Sequence, residues 1–148
     1  MAYKMKLSVP YQGMPHIWNV SAHVGVTRDC PNQRDDVELF QRLIIERYKV
    51  VPPKLSRAAG ISMPVNASGQ MDTQTGFEVF WAGDRNKPTS NSEKISPARG
   101  GSVSYGSGMW AIAYWNWRLF KAAPQVWENL PNLCSPSLKN ALLTKTAP

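Results

Sequence analysis

The sequence predicts a mainly α-helical protein with a short β element at its N-terminus. Three patterns carry that expectation. Residues 36–49 repeat apolar side chains at helical spacing. Residues 108–123 are apolar around most of a helical circumference. Residues 4–11, "KMKLSVPY", alternate weakly, as a short half-buried strand does.

In the first of these elements along the chain, Leu7, Val9 and Tyr11 share one side, and Pro10 confines the strand to an edge. Residues 16–26 form a second extended candidate, anchored by Ile17 or Trp18. The next stretch, "PNQRDDVELFQRLIIERYKV", opens with Asn32 and Asp35 as caps. Asp36 and Glu38 lie near the positive end of the helix dipole. Val37, Phe40, Gln41, Ile44 and Tyr48 recur at i, i+3, i+4, i+7 and i+11, and Leu43 widens the stripe. The pattern predicts a helix of about three turns, ended by Val50-Val51 and Pro52-Pro53.

Residues 52–70 read as a Pro/Gly/Ser-rich connection. A second helix then starts at Asp72 or Thr73 as N-cap, with Phe77, Phe80 and Trp81 as its apolar face. Residues 83–107 are polar and rich in turn formers, and a loop of that length in one domain is functional or covered by a partner. A tryptophan-rich helix follows from near Ser107 to Ala123, where Pro124 either breaks it or starts a new turn, and 137–143 give a last short helix. The expected organisation is a single domain, 1–148. It comprises an extended segment 1–30, a helical core 31–82, the polar loop 83–107, and the tryptophan-rich helix with its tail, 108–148.

Two segments together resemble the peptidoglycan-binding domain family, the small three-helix wall-binding modules. The first is Asp36-Val37-Glu38-Leu39-Phe40-Gln41-Arg42-Leu43-Ile44, preceded by Val24-Gly25 and Asn32. The second is Gly69-Gln70-Met71-Asp72-Thr73-Gln74-Thr75-Gly76-Phe77-Glu78-Val79-Phe80-Trp81. The similarity spans 24–82 and implies a wall-binding-type helical module. It departs from the family's pattern at Ser68-Gly69, where an Asp-Gly turn is usual, and at Trp81, where a Gln usually closes the motif.

Four of the six tryptophans, Trp110, Trp115, Trp117 and Trp127, fall within residues 108–127. On a helix, Trp110, Ala113 or Tyr114, Trp117 and Lys121 form one row, with Met109, Ile112, Ala113, Asn116, Leu119 and Phe120 along another side. Three readings are open: a central core helix, an aromatic row covered by another subunit, or a platform on which sugars stack. The binding candidates, for interface or glycan, are Trp110, Tyr114, Trp117, Trp81 and Arg118.

The composition, 43% hydrophobic and 18% charged, is that of a globular domain. A formal net charge of +7 favours acidic partners, but the basic residues are scattered, which argues against a nucleic-acid footprint. Cys30 and Cys134 have no ligand spacing for zinc and read as free thiols, with a disulfide between them the alternative. No signal-peptide pattern and no membrane-span pattern is present, so synthesis in the cytoplasm and no membrane insertion are expected. His16 and His23 lie seven apart without a metal motif, and the acidic residues are explained as helix-start or solvated charges. Ser104-Tyr105-Gly106-Ser107-Gly108 is not a nucleophile elbow, and Gly100-Gly101 is not a phosphate loop. No catalysis and no cofactor are expected.

These observations point to a non-catalytic structural or interaction protein. The first expectation is a small component of a phage or phage-tail-like particle, whose partners are other protein subunits. The alternative is a peptidoglycan-binding accessory protein delivered with a cell-wall lytic enzyme.

Overall fold

The computed structural model describes residues 1–51, 66–85, 94–106 and 108–147, the side chains of 80–85 excepted. The connection expected over 52–70 and the first part of the polar loop fall largely outside them. The fold is mixed α/β: 46% helical, with 21% strand in three small sheets. This corrects the mainly α expectation and, with it, the reading of the chain as a helical wall-binding-type module plus one more helix. The physical reason is that most of the strands are two residues long. Such strands have no alternation to detect and exist only through their partners.

The longest strands pair as a hairpin. β1 (Tyr3–Tyr11) runs antiparallel to β2 (Met14–Asn19), with Met5 opposite Ile17. Gln12 and Gly13 join them with φ of +47° and +91°, and a two-residue turn with both φ positive follows the right-handed twist of the strands. The pairing is irregular between Lys6 and Tyr11, around Pro10. Val9 therefore stands 77% exposed while Leu7 is buried, so the two do not share a face as the alternation predicts. The last strand, β7 (Thr146–Ala147), adds to β1 in parallel and gives the order β2-β1-β7.

α1 (Arg34–Val50) starts earlier and runs longer than its apolar stripe implies. Neither Asn32 nor Asp35 caps it. Asn32 instead closes the preceding loop, accepting from Gly25 N at 2.8 Å and donating to Gly25 O at 3.0 Å. The acidic residues of its first turns tie down other segments. Asp36 accepts from the backbone of Ser21 and Ala22 at 2.9 and 3.1 Å, and Glu38 accepts from Ser135 N at 2.8 Å.

α2 (Thr73–Arg85) is capped by Asp72, which accepts from Thr75 N at 2.8 Å. Gln41 joins α1 to the start of α2. Its amide accepts from Gly69 N at 2.8 Å and donates to Gln70 O at 3.0 Å and Thr75 Oγ1 at 2.9 Å. Gly69 holds φ of +76° with Arg34 so close that a Cβ would meet Arg34 Cγ at 2.7 Å, so only glycine fits.

Four two-residue strands come from the rest of the chain. β3 (Val24–Gly25) pairs with β4 (Lys94–Ile95), and β5 (Ser104–Tyr105) pairs with β6 (Gly108–Met109). The segment expected as one polar loop thus carries β4 and β5. α3 (Ala111–Ala122) then crosses the molecule against α1 and β2. α4 (Pro124–Glu128), a 3-10 turn (Leu130–Leu133) and α5 (Pro136–Thr144) complete the helical layer.

The core gathers Met5, Ile17, Trp18, Phe40, Leu43, Ile112, Trp115, Leu119 and Trp127 from both layers. Asn116 sits inside it with its amide fully used. It accepts from Trp18 N at 2.8 Å and Trp127 Nε1 at 2.9 Å, and donates to Trp18 O at 2.8 Å and Ile112 O at 2.9 Å. Trp18 Nε1 donates to Trp127 O at 2.9 Å. Burial of that polar centre is tolerated because every one of those groups is paired.

Candidate functional site: an aromatic and cationic face on α3 and the cleft at its start

α3 shows one face to solvent. Ala111, Ile112, Ala113, Trp115, Asn116 and Leu119 are buried. Trp110, Tyr114, Trp117 and Arg118 are half-buried and Lys121 is exposed. These five fall at i, i+4, i+7, i+8 and i+11, one arc of the helix. Four of the five predicted binding residues therefore lie together. The fifth, Trp81, belongs to the backbone of α2, and its side chain is outside the described residues.

The face is ordered by contacts between its own rings and cations. Arg118 Nη1 donates to Tyr114 Oη at 2.7 Å, and its guanidinium lies 5.4 Å from that ring's centre. Lys121 Nζ lies 5.0 Å from the centre of the Trp117 ring. Tyr11, from the end of β1, packs its ring edge to face with Trp117 at 6.0 Å. These contacts limit the rotamers of long side chains before any partner arrives, which lowers the entropic cost of binding.

At the start of α3 the face runs into a cleft of about 350 Å³ lined by His23, Lys94, Ser96, Pro97, Arg99, Tyr105 and Trp110. Five of those residues come from 94–105, inside the segment that the sequence marks only as a long polar loop. The turn carrying Arg99 is held on both sides. Asn19, fully buried, donates to Ala98 O at 2.9 Å and accepts from Ala98 N at 3.1 Å. On the other side Ser8 N donates to Gly101 O at 2.9 Å. Gly101 has φ of +63°, and a Cβ there would meet Ser8 Oγ at 2.8 Å.

Tyr105 stands against Trp110 with ring centres 4.4 Å apart and planes at 61°. Lys94 is held by Asp29, whose carboxyl is lowered to about 2, first by its bond from Lys94 and then by the Thr27 hydroxyl. His23 Nδ1 and Trp110 Nε1 are buried and have no hydrogen-bond partner among the described residues. Arg99 is exposed and forms no ion pair among the described residues.

Sequence reasoning missed His23, Lys94, Ser96, Arg99 and Tyr105 as a group. The available signal was the length of the loop, because no spacing rule connects His23 to Arg99. Cys30 and Cys134 are free thiols, and burial pushes the Cys134 thiol up to about 12. Among the described residues no group of three or more His, Cys, Asp or Glu is placed to hold a metal ion, and no helix is long and apolar enough to cross a membrane. No protein-family model, curated protein or solved structure matches the chain.

Proposed function

We propose that the chain is a non-catalytic interaction protein, a small component of a phage or phage-tail-like particle, that docks on an acidic protein partner through the outward face of α3. One observation carries the reading: a helix otherwise enclosed by its own fold leaves Trp110, Tyr114, Trp117 and Arg118 partly exposed and Lys121 exposed along one arc. Trp, Tyr and Arg carry most of the binding energy at interface centres. The net charge of +7 favours an acidic partner over a basic one.

A second reading, a peptidoglycan-binding accessory protein delivered with a lytic enzyme, draws support from another observation. Gln41, in the first of the two segments resembling wall-binding modules, bonds to Gly69 and Thr75 of the second.

Density-gradient sedimentation of particles from producing cells tests the first reading. The wild-type chain should co-sediment with the particles, and Trp117→Ala or Arg118→Glu should return it to the soluble fractions. Retention on purified sacculi in moderate salt, with no particle-bound fraction, overturns that reading in favour of the second.

A further inference from the structure

We propose that the cleft at the start of α3 is a binding site for an acidic sugar, with a pyranose ring against Trp110 and its carboxylate on Arg99. The inference goes beyond the docking reading: it shares Trp110 with the docking face but rests on Arg99, Ser96 and His23, none of which belongs to that face.

Four observations carry it. The cleft, at about 350 Å³, falls within the range of small-ligand pockets. Among its described lining residues are a lysine, an arginine and a histidine and no acidic side chain. Asp29, the carboxylate that contacts the lining residue Lys94, is engaged by Lys94 and Thr27. Arg99 has no ion-pair partner among the described residues, and a guanidinium is suited to take a carboxylate on two parallel bonds.

The position of Arg99 is built rather than incidental. Its turn is clamped at Ala98 by buried Asn19 and at Gly101 by Ser8, so the charge is presented from a fixed backbone. The aromatic geometry selects the ring type. Tyr105 stands at 61° to Trp110, so the two rings do not form a parallel slot for a flat nucleobase. One indole wall, with the Ser96 hydroxyl and His23 in the same cleft, matches the apolar face and polar rim of a pyranose.

Isothermal titration calorimetry on the full chain at about 50 mM salt tests the assignment. The probes are a hexasaccharide of alternating glucuronate and N-acetylglucosamine, neutral chitohexaose, and uridine monophosphate. The acidic hexasaccharide should bind at least about tenfold more tightly than chitohexaose. Arg99→Gln should bring that ratio close to one, whereas Arg118→Gln should leave it unchanged. Melting curves of both variants should match the wild type, since neither residue is in the core. Absence of heat with the hexasaccharide at millimolar concentration overturns the proposal. So does equal affinity for the acidic and neutral sugars, an unchanged ratio in Arg99→Gln, or tighter binding of uridine monophosphate. The docking reading is untouched by any of these results, since it is read from particle sedimentation with Trp117 and Arg118 variants.

Discussion

Asn19 holds the backbone of Ala98 through two hydrogen bonds, from Nδ2 to Ala98 O at 2.9 Å and from Ala98 N to Oδ1 at 3.1 Å. The two residues are 79 positions apart, and the clamp is fully buried at Asn19. It joins the end of β2 to the turn that presents Arg99. Asn19→Ala leaves a buried donor and a buried acceptor unpaired. The expected cost is about 2 kcal/mol or more, read from urea unfolding. Hydrogen exchange at Ala98 N should speed up more than exchange in the hairpin.

Asn116 poses the same question in the centre of the core. Asn116→Ala removes the partners of Trp18 N, Trp18 O and Trp127 Nε1 together. The loss should be about 3 kcal/mol or more. Asn116→Asp should also destabilise, because a carboxylate accepts from Trp18 N and Trp127 Nε1 but cannot donate to Trp18 O. Thermal melts of the two variants check both statements. A melting temperature equal to the wild type in Asn116→Ala would contradict the geometry.

Gln41 is the joint between α1 and the start of α2. Gln41→Glu keeps its volume and its acceptor for Gly69 N but loses the donor to Gln70 O and Thr75 Oγ1. The carboxylate would face the Gln70 carbonyl in a buried place. A cost of about 1–3 kcal/mol is expected, larger at neutral pH than near pH 4, where a carboxyl regains a proton to donate. Unfolding at the two pH values checks the sign.

Trp115 and Trp117 are neighbours with opposite roles. Trp115 is 2% exposed and packs edge to face against Tyr48, while Trp117 is half-buried on the outward face. Trp115→Ala should cost about 3–5 kcal/mol of stability. Trp117→Ala and Trp110→Ala should cost clearly less and act instead on assembly. Equal losses of melting temperature in the Trp115 and Trp117 variants would place the outer row in the core's energetics and remove the docking argument.

His16 makes stability depend on acid. It packs 4.6 Å from the ring centres of both Trp18 and Trp127. Burial first, and the Lys4 ammonium second, lower its pKa from 6.5 to about 4. Between those values the unfolded chain holds a proton that the folded chain does not, so stability rises with pH across the window and is lost as pH falls through it. Asp36 acts the other way, since burial raises its carboxyl and the folded chain keeps that proton more tightly. Asp29, lowered to about 2, contributes stability that is lost only below the ordinary carboxylate range. His16→Phe should therefore flatten the slope of stability between about pH 4 and 6.5, measured by denaturant titration at a series of pH values.

Much of the helical layer was legible in the chain. The stripe from Val37 to Tyr48 marks α1, Asp72 is the cap of α2, and the row Trp110, Tyr114, Trp117 and Lys121 lies on one side of α3. Helical periodicity and capping are properties of residues a few positions apart, so a linear reading contains them. The fold class was not legible. β7 exists because Lys4 and Met5 face Thr146 and Ala147, and β3 exists because Val24 faces Ile95. A two-residue strand has no period of its own and is defined by hydrogen bonds to a distant partner.

The sequence by itself thus determined that Trp110, Trp117 and Lys121 share one row of α3, and left open whether the core or a partner covers that row. Only the tertiary structure decided that Asn19 reaches Ala98, that Ser8 reaches Gly101, and that His23, Arg99, Tyr105 and Trp110 share one cleft. The physical reason is that a site assembled from four separate turns and strand ends depends on how the layers close over the core. That closure is set by packing of all the buried residues together rather than by any local pattern.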